Sequence, residues 1–355
     1  MNLSSFKVLF KPVVLLLKSK RLFLGTLALL LFLSSYWYWL DYRDFLKQPI
    51  HFTQEQRSVV LPKGFSVNQL ATQLEKQGHI KSRHYLKVLA YLNPEYKNLK
   101  AGEYQLAESI TPLKLLKRLT QGKVIQYSFT IIEGQTAFEV INNLHAESRL
   151  LSLESADQRQ ILDRLQIEYP KLEGWFYPET YYFSKGDSAF SILKRATEDM
   201  QLALREEWQN RAINLPYDDP YEALIMASII EKETAIASER TKIAGVFVRR
   251  LQKKMRLGTD PTVIYGIGPG FNGDITRKDL RTRTAYNTYI IKGLPPTPIA
   301  MPSRASIYAA LHPDDSNALY FVADGTGGHY FSETLDEHNQ AVRRMLARNR
   351  KNKGK

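Results

Sequence analysis

The amino-acid sequence predicts an α+β protein with an N-terminal transmembrane helix, a small α+β domain and a larger mixed α+β domain. Three observations support this prediction. Residues 22–40 carry no charge and are about as long as a helix that crosses a bilayer. After them, short extended segments alternate with helical patterns and Gly- or Pro-containing turns. The 355 residues, 44% hydrophobic and 24% charged, suffice for more than one globular domain.

The composition limits the chemistry and the partners. Cysteine is absent, which excludes disulfides and thiolate catalysis. The formal charge of +13 favours a polyanionic partner, such as nucleic acid, anionic lipid or an acidic cell-wall polymer.

The charges around residues 22–40 predict the orientation of the transmembrane helix. The basic residues that precede it are Lys7, Lys11, Lys18, Lys20 and Arg21. The positive-inside rule therefore leaves residues 1–21 in the cytoplasm and places the chain after about residue 41 outside, with an aromatic belt at residues 36–39. A cleaved signal peptide is the alternative, but WYWLDYRDF contains no small-residue cleavage motif. With the large domains exported, no nucleic acid partner is expected.

Residues 41–55 are polar and are predicted to form a short stalk, and residues 56–124 form the small domain. In this domain Ser66 is expected to cap a first helix, and AGEYQL at 101–106 is strand-like. A second helix is predicted around residues 85–92 and a third ends at Gly122.

A strand–turn–helix pattern occurs twice. VVLPKGFSVNQLATQL at 59–74 is echoed by FTIIEGQTAFEVINNL at 129–144. Either a small unit that grips extended polymers precedes a larger domain opening in the same way, or one common turn chemistry is used twice.

The larger domain spans residues 125–345. It is predicted to contain a long helix near 188–212, the apolar ALIMASIIEKET helix and a basic amphipathic helix at about 238–254. The basic sequence from residue 343, including a tail at 346–355, is predicted to be solvated and disordered.

Two carboxylates end the apolar helix at 223–235. Helical geometry points Glu231 and Glu233 to opposite sides. Glu233 shares its side with bulky apolar residues, whereas Glu231 shares its side with mostly small ones, including Ala227 and Ser228. Small side chains would leave a groove in which a partly desolvated Glu231 has a raised pKa and acts as a general acid. The alternative is a surface carboxylate paired with Lys232 or Arg240.

Other site chemistries are weakly indicated. The histidines lack metal-ligand spacing and no HExxH occurs, so we expect no metal. No Gly-x-Ser-x-Gly elbow is present, and GTGGH at 325–329 is interpreted as a hairpin turn. The loop aromatics at 175–182 and 265–289 form surfaces of the kind that stack on sugars, although a structural role is favoured for each individual tyrosine.

Six motifs, in order and at similar spacing, resemble the endolytic murein transglycosylases of the YceG-like family. They are LEGWFYPETY (172–181), ASIIEKET (227–234), ASERTKIAGVFVRRL (237–251), TDPTVIYGIG (259–268), AYNTYIIKGLPPTPI (285–299) and LYFVADGTGGHYFSETLDEHN (319–339). The resemblance also covers the anchor and a LysM-like domain at 56–124. Two departures concern loops: Gly258 replaces a polar residue, often Gln, and MPSRAS (301–306) replaces an Asn/Thr-Pro-Gly turn.

The resemblance implies a lytic transglycosylase that cuts the bond between N-acetylmuramic acid and N-acetylglucosamine in peptidoglycan, leaving 1,6-anhydro ends without a cofactor. It implies Glu231 as the catalytic acid, with Glu233 as the less favoured choice. The residues implied to bind the sugars are Thr259, Asp260, Tyr286, Asn287 and Tyr289. The resemblance also implies an anchor in the cell inner membrane and a periplasmic catalytic domain. It implies a role in terminating nascent strands, with peptidoglycan synthases or elongation and division proteins as partners.

Two other functions stay open. A hydrolase could recruit a second carboxylate from Asp260, Glu173 or Glu179, as two-carboxylate glycosidases do. A non-catalytic peptidoglycan-binding scaffold could use the small domain and the tyrosine surfaces.

Overall fold

The computed structural model describes the backbone of residues 20–153 and 157–353. It describes the burial and contacts of side chains for residues 23–153 and 157–348. The chain divides into two compact units, residues 1–125 and 126–355. Helices and strands alternate in both, which confirms the predicted α+β class, and each sheet in the described residues has two strands.

The first unit begins with a long helix that contains the apolar segment. Helix α1 runs over Lys20–Lys47, and its stretch Phe23–Lys47 is long and apolar enough to cross a membrane. The predicted stalk is wrong in its first half, because the helix continues to Lys47 and Phe45 is buried in the unit's core. The hydroxyl of Tyr85 donates to Asp41 at 2.5 Å and further fixes this end of the helix. The second half of the stalk is a strand followed by buried Phe52.

Three short helices and two strand pairs complete the first unit. They are β1 (Ile50–His51), β2 (Ser58–Leu61), α2 (Val67–Lys76), α3 (Arg83–Leu92), β3 (Gly102–Gln105), β4 (Ser109–Ile110) and α4 (Pro112–Gln121). β1 pairs with β4 and β2 with β3, both antiparallel. The predicted strand at AGEYQL is confirmed, as is the end of the third helix at Gly122, which has the left-handed conformation.

The second unit contains the other elements. They are β5 (Tyr127–Thr130), α5 (Ala137–Ala146), α6 (Gln158–Leu165), β6 (Thr180–Phe183), α7 (Ala189–Gln209), α8 (Pro220–Glu233), α9 (Arg240–Gln252), α10 (Asp260–Ile267), α11 (Arg277–Arg281), α12 (Arg304–Leu311), β7 (Tyr320–Ala323), β8 (His329–Ser332) and α13 (Leu335–Lys353). The three helices predicted in this domain correspond to α7, α8 and α9.

The strand–turn–helix pattern is built in the same way in both units. β2 and β5 are each followed by a turn with a glycine at positive φ, and then by a helix with a capping box. In the first box Ser66 exchanges hydrogen bonds with Gln69, and in the second Thr136 does so with Glu139. The two segments therefore share their turn and cap chemistry, which agrees with both explanations of the recurrence.

Helix α8 lies at the centre of the second unit's core. Its residues Ala223–Ile230 are buried, and α12 packs along it. The small side chains of Ala227 and Ser228 are fully buried, and Ser228 contacts the segment that leads into α12. Ala227 and Ser228 therefore leave no groove, because this segment and α12 cover them. The groove expected beside Glu231 is lined instead by Thr234 and Ala235, two other small residues of the same face.

The C-terminal part of the chain contains a hairpin and a helix. β7 and β8 pair antiparallel with Ala323 opposite His329, so GTGGH forms the predicted hairpin turn. The prediction of disorder from residue 343 is wrong up to residue 353, because α13 continues to Lys353. The final two residues of the predicted tail lie outside the described residues.

Candidate active site

Glu231 lies in the last turn of α8 and is half-buried. Its Oε2 accepts hydrogen bonds from the backbone N–H of Ser303 at 2.8 Å and from the Ser303 hydroxyl at 2.5 Å. Within the described residues Oε1 accepts no hydrogen bond. One carboxyl oxygen is therefore held by the protein, and the other is available to a ligand.

An open groove of 670 Å³ lies beside this carboxyl. Its lining residues are Glu133, Gly134, Glu231, Lys232, Glu233, Thr234, Ala235, Arg240, Ser303 and Ala305. The ammonium group of Lys232 donates to the carbonyl of Gly134 at 3.1 Å, and Arg240 forms no ion pair in the described part of the chain. The alternative of a surface carboxylate paired with Lys232 or Arg240 is thus excluded by the geometry.

Backbone bonds fix the segment that presents Ser303. The N–H of Ile299 donates to the hydroxyl of Ser228 at 3.0 Å. Met301 exchanges backbone bonds with the turn after β5: its N–H donates to Gln135 at 2.7 Å, and its carbonyl accepts from Gly134 at 2.9 Å. Ser228 precedes Glu231 by three residues on α8, so one helix face holds both the carboxyl and the segment that contacts it.

Ser228→Ala should lower the free energy of unfolding by about 1–3 kcal/mol, because the buried N–H of Ile299 loses its acceptor. Urea unfolding measures this difference. Ser191→Ala is the matched control, since the Ser191 hydroxyl donates only to Ser188 at 2.7 Å within the same helical turn. An equal change in both variants would contradict this role of Ser228.

Glu233 points to the other side of α8, as predicted. Its carboxyl is buried, although part of the side chain reaches the groove, and it accepts a hydrogen bond from the Thr259 hydroxyl. Burial raises the pKa of Glu233, and the charge of Asp260 adds to this, against the opposing effects of the Thr259 bond, His329 and Arg250. Within the described residues Glu233 forms no ion pair, and its carboxyl group is held by the Thr259 hydroxyl.

The predicted sugar-binding residues of the TDPT motif lie on the Glu233 side. Thr259 is 2% exposed, and its hydroxyl is committed to Glu233. Asp260 is exposed and accepts a hydrogen bond from Tyr289 at 2.7 Å. Gly258, one of the two departures from the family motif, has a φ of 57°, a conformation that favours glycine. Asp260 and Tyr289 thus have surface for a ligand, whereas Thr259 has almost none.

Asn287 and Tyr286 have different environments. Asn287 is 1% exposed, and its amide donates to three backbone carbonyls, those of Asp279, Leu280 and Thr282. Its oxygen accepts from the N–H of Tyr289 at 3.0 Å. The expectation that Asn287 contacts sugars is therefore wrong for this arrangement; it holds the loop that presents Tyr289. Tyr286 is half-buried and shares a hydrogen bond with Thr297 at 2.8 Å.

Two carboxylates that a hydrolase could recruit do not line the groove. Glu179 is exposed and accepts from the N–H of Thr180. Glu173 is buried at the start of α5, where it accepts from the N–H of Ala137 at 2.8 Å and from Tyr265 at 3.0 Å. Burial raises the pKa of Glu173 to about 7. Glu173 is therefore a neutral core acid at mildly acidic pH.

Glu173→Gln should remove a pH-dependent loss of stability. The pKa of Glu173 rises from 4.5 in the unfolded chain to about 7 in the fold, so stability is full below 4.5 and falls as pH rises towards 7. Between about pH 5 and pH 8 the wild type should lose about 2.5 kcal/mol more than the variant, which cannot ionise. Urea unfolding at both pH values measures this, and parallel losses in the two proteins would contradict it.

Two polar contacts were missed from the sequence. The first is the contact of Ser303 with Glu231. Its signal in the sequence was the departure from the family motif at MPSRAS, which contains Ser303. The imidazole Nδ1 of His329 lies 2.7 Å from Glu239, and the backbone N–H of His329 donates to the same carboxylate at 2.9 Å. These bonds hold the β7–β8 hairpin to the start of α9, and His329 also acts electrostatically on Glu233. In the described residues no group of three or more His, Asp or Glu side chains could hold a metal ion.

Comparison with known proteins adds independent information. The model of the YceG-like family matches residues 59–344. The chain is 31% identical over 315 residues to an endolytic murein transglycosylase of Bacillus subtilis, covering 82% of this chain and 85% of that protein. It is 29% identical over 321 residues to one of Streptococcus pneumoniae, covering 80% of this chain and 57% of that protein.

A solved structure has a similar fold. The crystal structure of a yceG-like protein from Listeria monocytogenes is similar with a TM-score of 0.53 and 32% sequence identity. The similarity covers 80% of this chain and 97% of that chain.

Proposed function

Because the chain belongs to the YceG-like family, we propose that it is a membrane-anchored endolytic lytic transglycosylase that cuts peptidoglycan glycan strands with Glu231 as its acid. The observation that carries the assignment of Glu231 is its carboxyl group, held at one oxygen by Ser303 and open to the groove at the other. Its relatives named endolytic murein transglycosylases support the reaction class.

The proposed reaction uses one carboxyl group twice. Protonated Glu231 gives its proton to the glycosidic oxygen while the bond from C1 of N-acetylmuramic acid to that oxygen breaks. An oxocarbenium-like centre develops at C1, which the neighbouring N-acetyl group can assist. The resulting carboxylate takes the proton of the C6 hydroxyl as that oxygen bonds to C1. The products are a 1,6-anhydro end and a free N-acetylglucosamine end, Glu231 is protonated again, and no water is consumed.

The other groove residues suggest how the strand is held. Arg240 and Lys232 supply positive charge beside three carboxyl groups, and the groove is open enough for an extended polymer. We assign Asp260 and Tyr289 to sugar contacts outside the Glu231 groove, and Thr259 and Asn287 to holding the loops beneath them. Tyr286 keeps its predicted place as a sugar-contacting aromatic.

A hydrolase is the second candidate, because the groove contains Glu133 and Glu233 besides Glu231. A second carboxylate could activate water at C1. The experiment is to digest purified sacculi with the full-length protein in detergent, then reduce the products with borohydride. Muramic ends that resist reduction support the transglycosylase; reducible muramic ends would instead establish a hydrolase, and an inactive folded protein that binds strands would favour a scaffold.

The apolar helix supports a proposal for the localisation. Its length and composition are compatible with a single-pass anchor, and the basic residues before it favour an N-terminus in the cytoplasm. We therefore propose that the chain is anchored in the cell inner membrane, with the residues after the helix in the periplasm. Alkaline phosphatase fused after Lys47 should be active. Activity of a cytoplasmic reporter at this position would show that the orientation is the opposite of the one proposed.

The biological role we assign is the termination of nascent strands beside peptidoglycan synthases of the elongation or division machinery. A membrane anchor keeps the enzyme close to the site at which strands are made. Cells in which Glu231→Gln replaces the wild type should contain longer glycan strands. An unchanged strand-length distribution would contradict this role and leave the reaction itself unaffected.

A further inference from the structure

We propose that Ser303 is a positioning residue that holds Oε2 of Glu231, so that Oε1 is the atom that exchanges the proton with the substrate. This inference rests on the proposed transglycosylase function and adds an atomic assignment to it.

Two donors from one residue converge on a single carboxyl oxygen. The Ser303 N–H and hydroxyl both donate to Oε2, at 2.8 and 2.5 Å. A protonated carboxyl group has one oxygen that carries the proton and one that is only an acceptor. The oxygen that already receives two donors fits the acceptor role, so the proton of the acid form resides on Oε1.

The hydroxyl of Ser303 is oriented by the start of α12. Ser303 is the N-cap of this helix, and its oxygen accepts the N–H of Ser306 at 3.3 Å. With that lone pair used, the hydroxyl hydrogen is directed to Glu231. The N–H of Ser303 precedes the helix and has no intrahelical acceptor, so it is also available to the carboxyl group. One residue therefore supplies both bonds without weakening its own helix.

The proposal has a consequence for both proton transfers. A freely rotating carboxyl group could present either oxygen, whereas bonds from Ser303 keep Oε1 towards the groove throughout the cycle. Oε1 then gives its proton to the leaving oxygen and later receives the proton of the C6 hydroxyl. Since both steps use one atom, loss of the restraint should slow the chemical step more than it weakens strand binding.

The test compares Ser303→Ala with Ser303→Thr in the full-length protein, measuring kcat and KM for anhydro-end formation on isolated glycan strands. Alanine keeps the N–H and removes the hydroxyl, so kcat should fall about 10-fold, as expected for loss of one hydrogen bond to a charged group, while KM changes less than about twofold. Threonine restores a hydroxyl and should recover most of kcat.

Ser188→Ala controls for the lost helix cap. Ser188 caps α7 through the N–H of Phe190, so this variant loses a comparable cap without a change at Glu231. Its kcat should equal that of the wild type. An unchanged kcat in Ser303→Ala, a kcat not restored by threonine, or an equal fall in Ser188→Ala would overturn the proposal. A wild type that forms only reducible ends would overturn the transglycosylase function instead, so the two failures are distinguishable.

Discussion

Glu231→Gln is expected to abolish the formation of anhydro ends while the protein stays folded and still binds glycan strands. Glutamine keeps the size of the side chain and its carbonyl oxygen can still accept the Ser303 bonds, but the amide can neither give a carboxylic proton nor act as a base. General acid–base catalysis contributes about 10²–10⁴-fold to such reactions, so the rate should fall by at least that range. Counting anhydromuramic ends per unit time by mass spectrometry measures the loss.

Glu233→Gln is the matched control on the same turn of α8. Because burial raises the pKa of Glu233 in the fold, its stabilising contribution is present below the unfolded value of 4.5 and lost as pH rises towards the folded pKa. A neutral glutamine avoids this loss, so the variant should remain active and be at least as stable as the wild type above neutral pH. An active Glu231→Gln together with a folded but inactive Glu233→Gln would reassign the acid to Glu233.

Gly174→Ala should cause a large loss of stability. Gly174 has a φ of 84°, and a Cβ there would lie 2.6 Å from Cγ of Pro298, a rigid ring. The strained backbone and the overlap each cost about 1–3 kcal/mol, so we expect a total of about 2–6 kcal/mol. Because Pro298 begins the segment that leads to Ser303, catalytic activity should fall as well. Thermal and urea unfolding of the purified variant measure the stability.

Gly186→Ala isolates the effect of the overlap. Gly186 has a φ of 87°, but no atom lies within 4 Å of the position of its Cβ. This variant should therefore show only the backbone cost. Equal destabilisation of the two variants would show that the contact with Pro298 relaxes without cost.

Local signals in the sequence predicted the elements that local chemistry determines. The cap at Ser66 and the helix end at Gly122 are of this kind, since each is set by the residue and its near neighbours. The stalk was wrongly predicted because the mostly polar residues 41–47 indicate an exposed segment. The burial of Phe45 among them depends on contacts with a distant part of the first unit. The C-terminal helix was not predicted, because the high positive charge from residue 343 indicated disorder and was given more weight than the helix propensity of these residues.

At the site, helical periodicity correctly separated Glu231 from Glu233, but it could not identify their partners. Ser303 and Thr259 are far from them in the chain and are brought to them by the fold. The small-residue face was predicted to border a groove; Thr234 and Ala235 do line one, whereas Ser228 binds the segment before α12. A periodic pattern shows which side chains share a face, and only the packed structure shows what covers that face.

The most direct test of the account is digestion of purified sacculi in water enriched in ¹⁸O, followed by mass spectrometry of the new muramic ends. The account predicts ends that are lighter by one water than reducing ends and that contain no ¹⁸O, because the C6 oxygen of the sugar closes on C1. New ends that carry one ¹⁸O at C1 would contradict it, because water would then be the nucleophile and the protein a hydrolase.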